Sequence, residues 1–188
     1  MRKVILAINT TLNGIVTEEL SWMKPDTNHS WNSFFEMLAN VDLLLLGSGM
    51  WKDYRNFWSG VLKNEAEYTK NEVKYAQYAA KTKHLIFSSK LNNTGWNNAS
   101  VVSGDLNQII QNIMLKDGKD IQIVGGANFA SGFINSGLVD EYRIMVNPVI
   151  IGQGKSLWSE IVYTQSLECI STELLDNGVL VLCYKRVD

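Results

Sequence analysis

Three apolar runs in this chain end in small or polar residues that could hold a phosphate. They are Gly47-Ser48-Gly49 after residues 43–46, Ser88-Ser89-Lys90 after residues 86–87, and Gly125-Gly126 after residues 123–124. An apolar run that ends in glycine and opens into a helix leaves backbone N–H groups at the end of a sheet, and the missing Cβ lets a phosphate come close. Ser88 and Ser89 add hydroxyls and Lys90 a cation, a set suited to a ribose or a phosphate. Plain packing also explains a glycine pair at such a turn, and a solvated lysine after two serines needs no ligand. Three such ends together exceed what one tight turn requires, because ligands of open α/β sheets gather at the carboxyl ends of strands, beside helix N-termini. The combination predicts a dinucleotide site.

The elements that would position these ends can be read from periodicity. Residues 3–9 read as a buried strand, followed by a turn at Asn13-Gly14. Trp31, Phe34, Phe35 and Leu38 recur at helical spacing within residues 28–40, which predicts an amphipathic helix against the sheet. Residues 42–46 return as a strand, and the segment from Gly49 through Trp58 begins with a helical turn. Residues 65–81 mix Tyr68, Val73, Tyr75, Tyr78 and Ala79 with many charges, a solvated surface helix that is decoration rather than core. Residues 83–88 and 100–103 are further strands. Gly104-Asp105 caps a helix whose Ile109, Ile110, Ile113 and Met114 face inward, and residues 121–124 lead into a helix from Ala127. Strand alternating with helix predicts a mainly parallel sheet covered on both faces. Three strand-like runs after Glu141 without a long helix predict antiparallel strands at the end, so the expected class is α/β with a mixed sheet, in one domain spanning residues 1–188.

Bulk properties exclude several functions. A formal charge of −2 over 188 residues provides no basic field for nucleic acid, and a small polar metabolite is the better partner. The first apolar run stops at Asn9, too short for a signal peptide, and the run at residues 41–46 is interrupted by Asp42 and far below a membrane span. A soluble cytoplasmic protein without a membrane partner is expected. His29 and His84 are isolated and no Cys-x-x-Cys or His-x-Glu pattern occurs, so no metal is expected. Cys169 and Cys183 flank the hairpin turn Asp176-Asn177-Gly178. Pairing outward from it places Cys169 opposite Lys185 or Arg186, so no disulfide is expected.

Gly125-Gly126 and its helix, the block from Ser136 through Asp140-Glu141 to Arg143, Asn147-Pro148 through Gly152-Gln153-Gly154, and Leu157 resemble the C-terminal half of dihydrofolate-reductase-like domains. The specific likeness is to the reductase domain of the bifunctional riboflavin-biosynthesis deaminase/reductase. Residues 4–14 resemble the family's opening strand and Ser-Leu-Asp-Gly motif, Gly47-Ser48-Gly49-Met50 its phosphate turn, and Ser88-Ser89 its adenosine-side serines. The likeness covers nearly the whole chain except residues 56–81. The deaminase half's cysteine and histidine motifs have no counterpart, so the resemblance is to a reductase domain standing alone.

The resemblance implies a homodimeric oxidoreductase that uses NADPH, with the pyrophosphate on the helix N-termini at Gly49 and at Ala127, Asn128 and Phe129. Hydride would pass to a pterin- or pyrimidine-like compound similar to 5-amino-6-(5-phosphoribosylamino)uracil. Ser48 and Met50 stand where the family has an arginine or a threonine; losing the guanidinium removes a bidentate phosphate contact and makes NADH possible as well. Asn13 replaces the aspartate of its motif, and Val124 stands where the riboflavin reductase has a glutamate. Asn13, Trp22, Trp31 and Phe35 form the expected substrate side, since aromatic faces hold planar ligands, although Trp31 and Phe35 at helical spacing equally read as core.

The sequence names no catalytic residue. A folate enzyme needs a carboxylate on the first helix, where Trp31 or Asn32 stands, with Glu36 a turn further on; negligible dihydrofolate turnover is therefore expected. The rival reading is a non-catalytic nucleotide-binding or dimerisation protein with a degenerate substrate site. Asn13, Met50 and Val124 favour it, and the retained glycine turns oppose it.

Overall fold

The computed structural model describes residues 2–17 and 19–187. Its main sheet has eight strands, β1 (Val4–Thr11), β3 (Val41–Gly47), β4 (Lys83–Phe87), β5 (Ala99–Val102), β6 (Asp120–Val124), β7 (Glu141–Asn147), β9 (Leu167–Leu174) and β10 (Leu180–Arg186), in the order β5-β4-β3-β6-β1-β7-β10-β9. The pairs from β5 to β7 are parallel; β10 runs antiparallel to β7 and to β9. The expected mixed sheet with an antiparallel end is what forms. A separate two-stranded ribbon pairs β2 (Ile15–Val16) with β8 (Lys155–Ser156). Gly154 makes it possible: at φ +133° it adopts a backbone that favours glycine, and a Cβ there would lie 2.4 Å from Ile15 Cγ2.

Alternate residues of each strand serve different faces. Leu6, Leu43, Leu45, Ile121, Ile123 and Tyr142 pack under α4 (Leu106–Met114) and α5 (Ala127–Asn135). Ile5, Leu44, Leu46 and Ile86 face the other way, toward α1 (Asn28–Leu38), α2 (Trp51–Lys63) and α3 (Lys70–Lys81). Strands buried on both faces are continuous apolar runs, which is why Leu43-Leu44-Leu45-Leu46 shows no alternation.

The helix at residues 70–81 corrects the reading of that segment as decoration. Tyr75, Ala76 and Ala79 are buried along one stripe, and Tyr75 packs against Trp31, Phe34 and Trp58. Dense charges on the outward face hid a three-residue inward stripe. The hairpin register also differs from expectation: Cys169 pairs with Tyr184, because a bulge between Cys183 and Tyr184 shifts the pairing by one residue. Both cysteines are free.

The block that carries the resemblance fastens the sheet. Asp140 Oδ2 accepts a hydrogen bond from Val4 N at 2.8 Å, and Glu141 pairs with Lys3 at 2.5 Å, holding β7 to β1. Asn147 donates to Asn9 Oδ1 (3.1 Å) and accepts from Lys24 N (2.9 Å), while Asn177 donates to Pro25 O (3.0 Å). These amides fix the segment at residues 23–26 over the carboxyl half of β1 and β7.

Candidate functional site

Side-chain caps distinguish the helices. Thr27, Thr69 and Asp105 accept hydrogen bonds from the first turns of α1, α3 and α4, while α2 and α5, which begin after Met50 and Gly126, have no side-chain cap. The free N–H groups of a helix start attract anions. These two uncapped starts follow β3 and β6, adjacent strands aligned with Leu46 beside Val124. Asp53 lies in the first turn of α2 and no acid lies in that of α5, which makes α5 the stronger anion seat.

The glycines of these turns divide into two kinds. A Cβ on Gly125 would lie 2.6 Å from Phe129 Cδ1, and one on Gly47 3.2 Å from Phe129 Cγ, so these two make room for one phenyl ring between the turns. Packing, the plainer explanation, accounts for both. A Cβ on Gly49 or Gly126 would meet nothing within 4 Å. These positions border open space at the two uncapped starts, where an anion could approach the backbone. Ser48 and Asn128 are exposed beside them and Ala127 is buried. The third strand end is partly committed to the fold: Ser88 Oγ accepts from Lys90 N (3.2 Å) and Leu91 N (3.1 Å), leaving Ser89 and Lys90 as exposed groups.

A cavity of about 230 Å³ lies on the α1 side of the sheet. Its floor comes from β1 (Ala7, Asn9), β6 (Gln122, Val124), β7 (Arg143, Met145, Asn147) and β10 (Val181). Ala7 is the reason for the gap: a small residue in a central strand, it stands beside Arg143 where bulky side chains fill the rest of the sheet. Trp31, Phe34 and Tyr75 form an aromatic wall, and the segment carrying Met23, Lys24 and Asp26 forms the rim. Two floor atoms, Gln122 Oε1 and Arg143 Nε, are buried without a hydrogen-bond partner.

Asp26 stands at the rim, one residue before the Thr27 cap of α1. Much of the residue is open to solvent, and its carboxyl accepts from Ser30 Oγ at 3.1 Å. Loss of hydration raises its pKa above the ordinary carboxylate value; the Ser30 bond lowers it and the charge of Glu72 raises it further. The first helix carries no carboxylate at Trp31 or Asn32, and Glu36 does not line the cavity; Asp26, on the segment leading into that helix, does, and the Pro25-Asp26-Thr27 start signal was the feature that pointed to this segment.

Of the residues expected on the substrate side, Trp31 lines the cavity and three others do not. Asn13 is spent on the turn after β1: its amide donates to Ile151 O (2.9 Å) and its oxygen accepts from Thr11 Oγ1 (2.8 Å). Trp22 donates to Thr17 Oγ1 at 2.7 Å. Phe35 stacks on Trp31 at 5.4 Å on its outer side, with the Lys74 ammonium 3.9 Å from its ring centre. Phe34, Asp26, Gln122 and Arg143 were missed. His84 is buried beside Trp96, and desolvation lowers its pKa to about 4. Among the described residues no group of three potential ligands gathers to hold a metal, and no helix is long and apolar enough to cross a membrane.

Known proteins resemble this chain in sequence and in fold. The protein YyaP of Bacillus subtilis (strain 168) is 29% identical over 191 residues, covering 97% of this chain and 94% of its own. A putative riboflavin biosynthesis protein from Shewanella sp. PV-4 superposes with a TM-score of 0.74 at 20% identity over the full length of both chains. The diaminohydroxyphosphoribosylaminopyrimidine deaminase/5-amino-6-(5-phosphoribosylamino)uracil reductase of Thermotoga maritima superposes with a TM-score of 0.68 at 15% identity; the match covers 99% of this chain and 57% of that one. These structural likenesses establish the dihydrofolate-reductase-like fold. The family model of the RibD C-terminal domain matches residues 2–181, and the chain belongs to that family.

Proposed function

We propose that this protein is an NAD(P)H-dependent reductase of a small pterin- or pyrimidine-like compound. The observation that carries the reading is the pair of uncapped helix starts, with open space at Gly49 and Gly126, on adjacent strand ends beside a cavity with an aromatic wall. Membership of the RibD C-terminal family supports NADPH as the cofactor. When bound, the dinucleotide supplies the hydride. The N–H groups of Ala127 and Asn128 at the start of α5 hold the pyrophosphate, with Ser48, Gly49 and Met50 on the opposite turn. Trp31 and Phe34 press a flat ring against the strand floor and keep water from it, and Asp26, whose raised pKa keeps its proton to higher pH, holds the proton that must accompany hydride transfer. Titrating the protein with NADPH and with NADH, followed by nicotinamide fluorescence, tests this reading. Saturable binding of at least one cofactor is expected, and binding of neither contradicts it.

Lys90 is exposed next to Ser89 at the end of β4, in place to meet the adenosine end of the cofactor. Lys90→Ala is expected to weaken NADPH binding at low ionic strength and to matter little at high ionic strength, since salt screens an exposed charge–phosphate contact. NADH affinity should stay the same. A uniform loss for both cofactors would place Lys90 on a part they share.

The edge strand β9 is exposed along nearly its whole length, with Leu167, Ile170 and Leu174 open. Long apolar edges invite pairing with a second copy. A homodimer with this edge at its interface is the expected state in sedimentation; a concentration-independent monomer at micromolar protein would refute it.

A further inference from the structure

Gln122 and Arg143 are the cavity groups that neither the packing nor the cofactor accounts for. Gln122 is 3% exposed, and its Oε1 has no partner. A buried acceptor left bare is destabilising, so the position asks for a donor from outside the chain. Arg143 presents the complement. Its Nη2 donates to Ser33 Oγ at 2.6 Å, Ser33 in turn donates to Glu173, and its Nη1 faces Cys183 Sγ at 3.9 Å. The guanidinium fork is thus turned away from the cavity, and the buried Nε–H is left without a partner. Recognition of a phosphate uses the fork, two parallel N–H groups at once. A single N–H suits a carbonyl oxygen.

The strands set the spacing of the two groups. β6 and β7 flank β1 on opposite sides; Gln122 is aligned with Ile5 and Arg143 with Ala7. A flat molecule lying over Ala7 meets Arg143 at one edge and Gln122 at the other. At about 230 Å³ the cavity falls below the roughly 300–1,000 Å³ of sites for drug-sized ligands, a size that suits a one- or two-ring compound.

We propose that Gln122 and Arg143 are the specificity-determining pair of this cavity. They select a flat, uncharged cyclic amide, with a ring N–H for Gln122 and a ring carbonyl for Arg143, over a phosphorylated nucleotide. The inference rests on the reading of the cavity as the substrate site. Discrimination lies in the unpaired floor groups, because a site built to receive an N–H rejects an analogue that lacks it.

Calorimetric titration of the whole protein with lumazine and with 1,3-dimethyllumazine, each with and without excess NADP⁺, tests the pair. The two probes share their carbonyls and differ in the ring N–H groups. Lumazine is expected to bind at least ten-fold more tightly. Gln122→Leu should weaken lumazine ten-fold or more and leave the dimethyl compound unchanged, with no fall in melting temperature, since the leucine removes a bare buried acceptor. Arg143→Met should weaken both probes; should that variant not fold, the Gln122→Leu comparison stands alone. Uridine 5′-monophosphate should bind no better than uridine. Equal affinity for the two lumazines, a preference that survives Gln122→Leu, tighter binding of the monophosphate, or no lumazine binding in either condition would overturn the proposal. NADPH titrated into the same sample reports on the reductase reading separately, so failure of one is distinguishable from failure of the other.

Discussion

Gly126→Val is expected to lower NADPH affinity more than 100-fold, about 2.8 kcal/mol, with the melting temperature nearly unchanged. Gly125→Ala, one residue away and a smaller change, is expected to do the reverse. Gly126 has φ −79° and ψ −178°, extended backbone that valine adopts readily, and its added side chain meets no protein atom within 4 Å of the Cβ. The bulk projects into the open space where a pyrophosphate would sit on α5. A Cβ on Gly125 instead lies 2.6 Å from Phe129 Cδ1, in a ring that also packs against Phe87 and Phe133 and has little freedom to move. Overpacking of this kind costs about 1–3 kcal/mol, and each kcal/mol lowers the melting temperature by roughly 2–4 °C in a chain of this length. Thermal melts and cofactor titrations of both variants check the pair. Full NADPH affinity in a folded Gly126→Val protein would remove α5 from the cofactor site.

Asp26→Asn is expected to lower turnover by about 10²–10⁴-fold, the usual contribution of a positioned general acid, while leaving NADPH affinity intact. The sign of the pH effect follows from the raised pKa of Asp26. A carboxyl that must deliver a proton is active below its pKa, so wild-type turnover should fall as the pH rises through that raised value, and the variant should lack this limb. Stability moves separately. A carboxyl with a raised pKa in the folded state favours folding at low pH, where it is protonated, and that contribution is lost as the pH rises through the folded pKa. Asparagine carries no such desolvated charge, so the variant should melt no lower than wild type at neutral pH. Rates of NADPH oxidation against pH, with pterin and pyrimidine candidates, provide the check. Dihydrofolate belongs among them: negligible turnover is expected with no carboxylate on the first helix, and steady turnover abolished by Asp26→Asn would place the acid before that helix instead. A limb that persists in Asp26→Asn would assign the titration to another group.

The order of strands and helices was legible because buried parallel strands announce themselves as apolar runs, as in Leu43-Leu44-Leu45-Leu46, and glycine marks their exits. The resemblance is strongest in the block from Leu138 to Gly154, yet several of its residues do structural work: Asp140 and Glu141 hold β7 to β1, Asn147 pins the rim segment, and Gly154 admits the β2–β8 ribbon. A motif can identify a fold while saying little about what the site touches. The cavity was hidden for a different reason. Gln122 and Arg143 sit at alternate positions of β6 and β7, where a polar residue inside an apolar run does not disclose which face it joins until register is known. Asp26 lies outside any periodic segment, and its place depends on the hydrogen bonds of its neighbours, Lys24 N donating to Asn147 Oδ1 and Pro25 O accepting from Asn177, more than a hundred residues away. Tyr75 reads in the sequence as part of a solvated surface helix because the charges around it on α3 mask a narrow inward stripe.

The central claim is that the uncapped start of α5, facing the turn that opens α2, holds the pyrophosphate of a nicotinamide dinucleotide. Amide ¹H–¹⁵N spectra of the protein titrated with NADPH address it residue by residue. The largest shifts are predicted at Gly126, Ala127 and Asn128, with a second set at Gly49 and Met50, and the capped starts of α1, α3 and α4 should stay still. Saturating NADPH that leaves Gly126, Ala127 and Asn128 unmoved, or that shifts a capped helix start instead, would contradict the account.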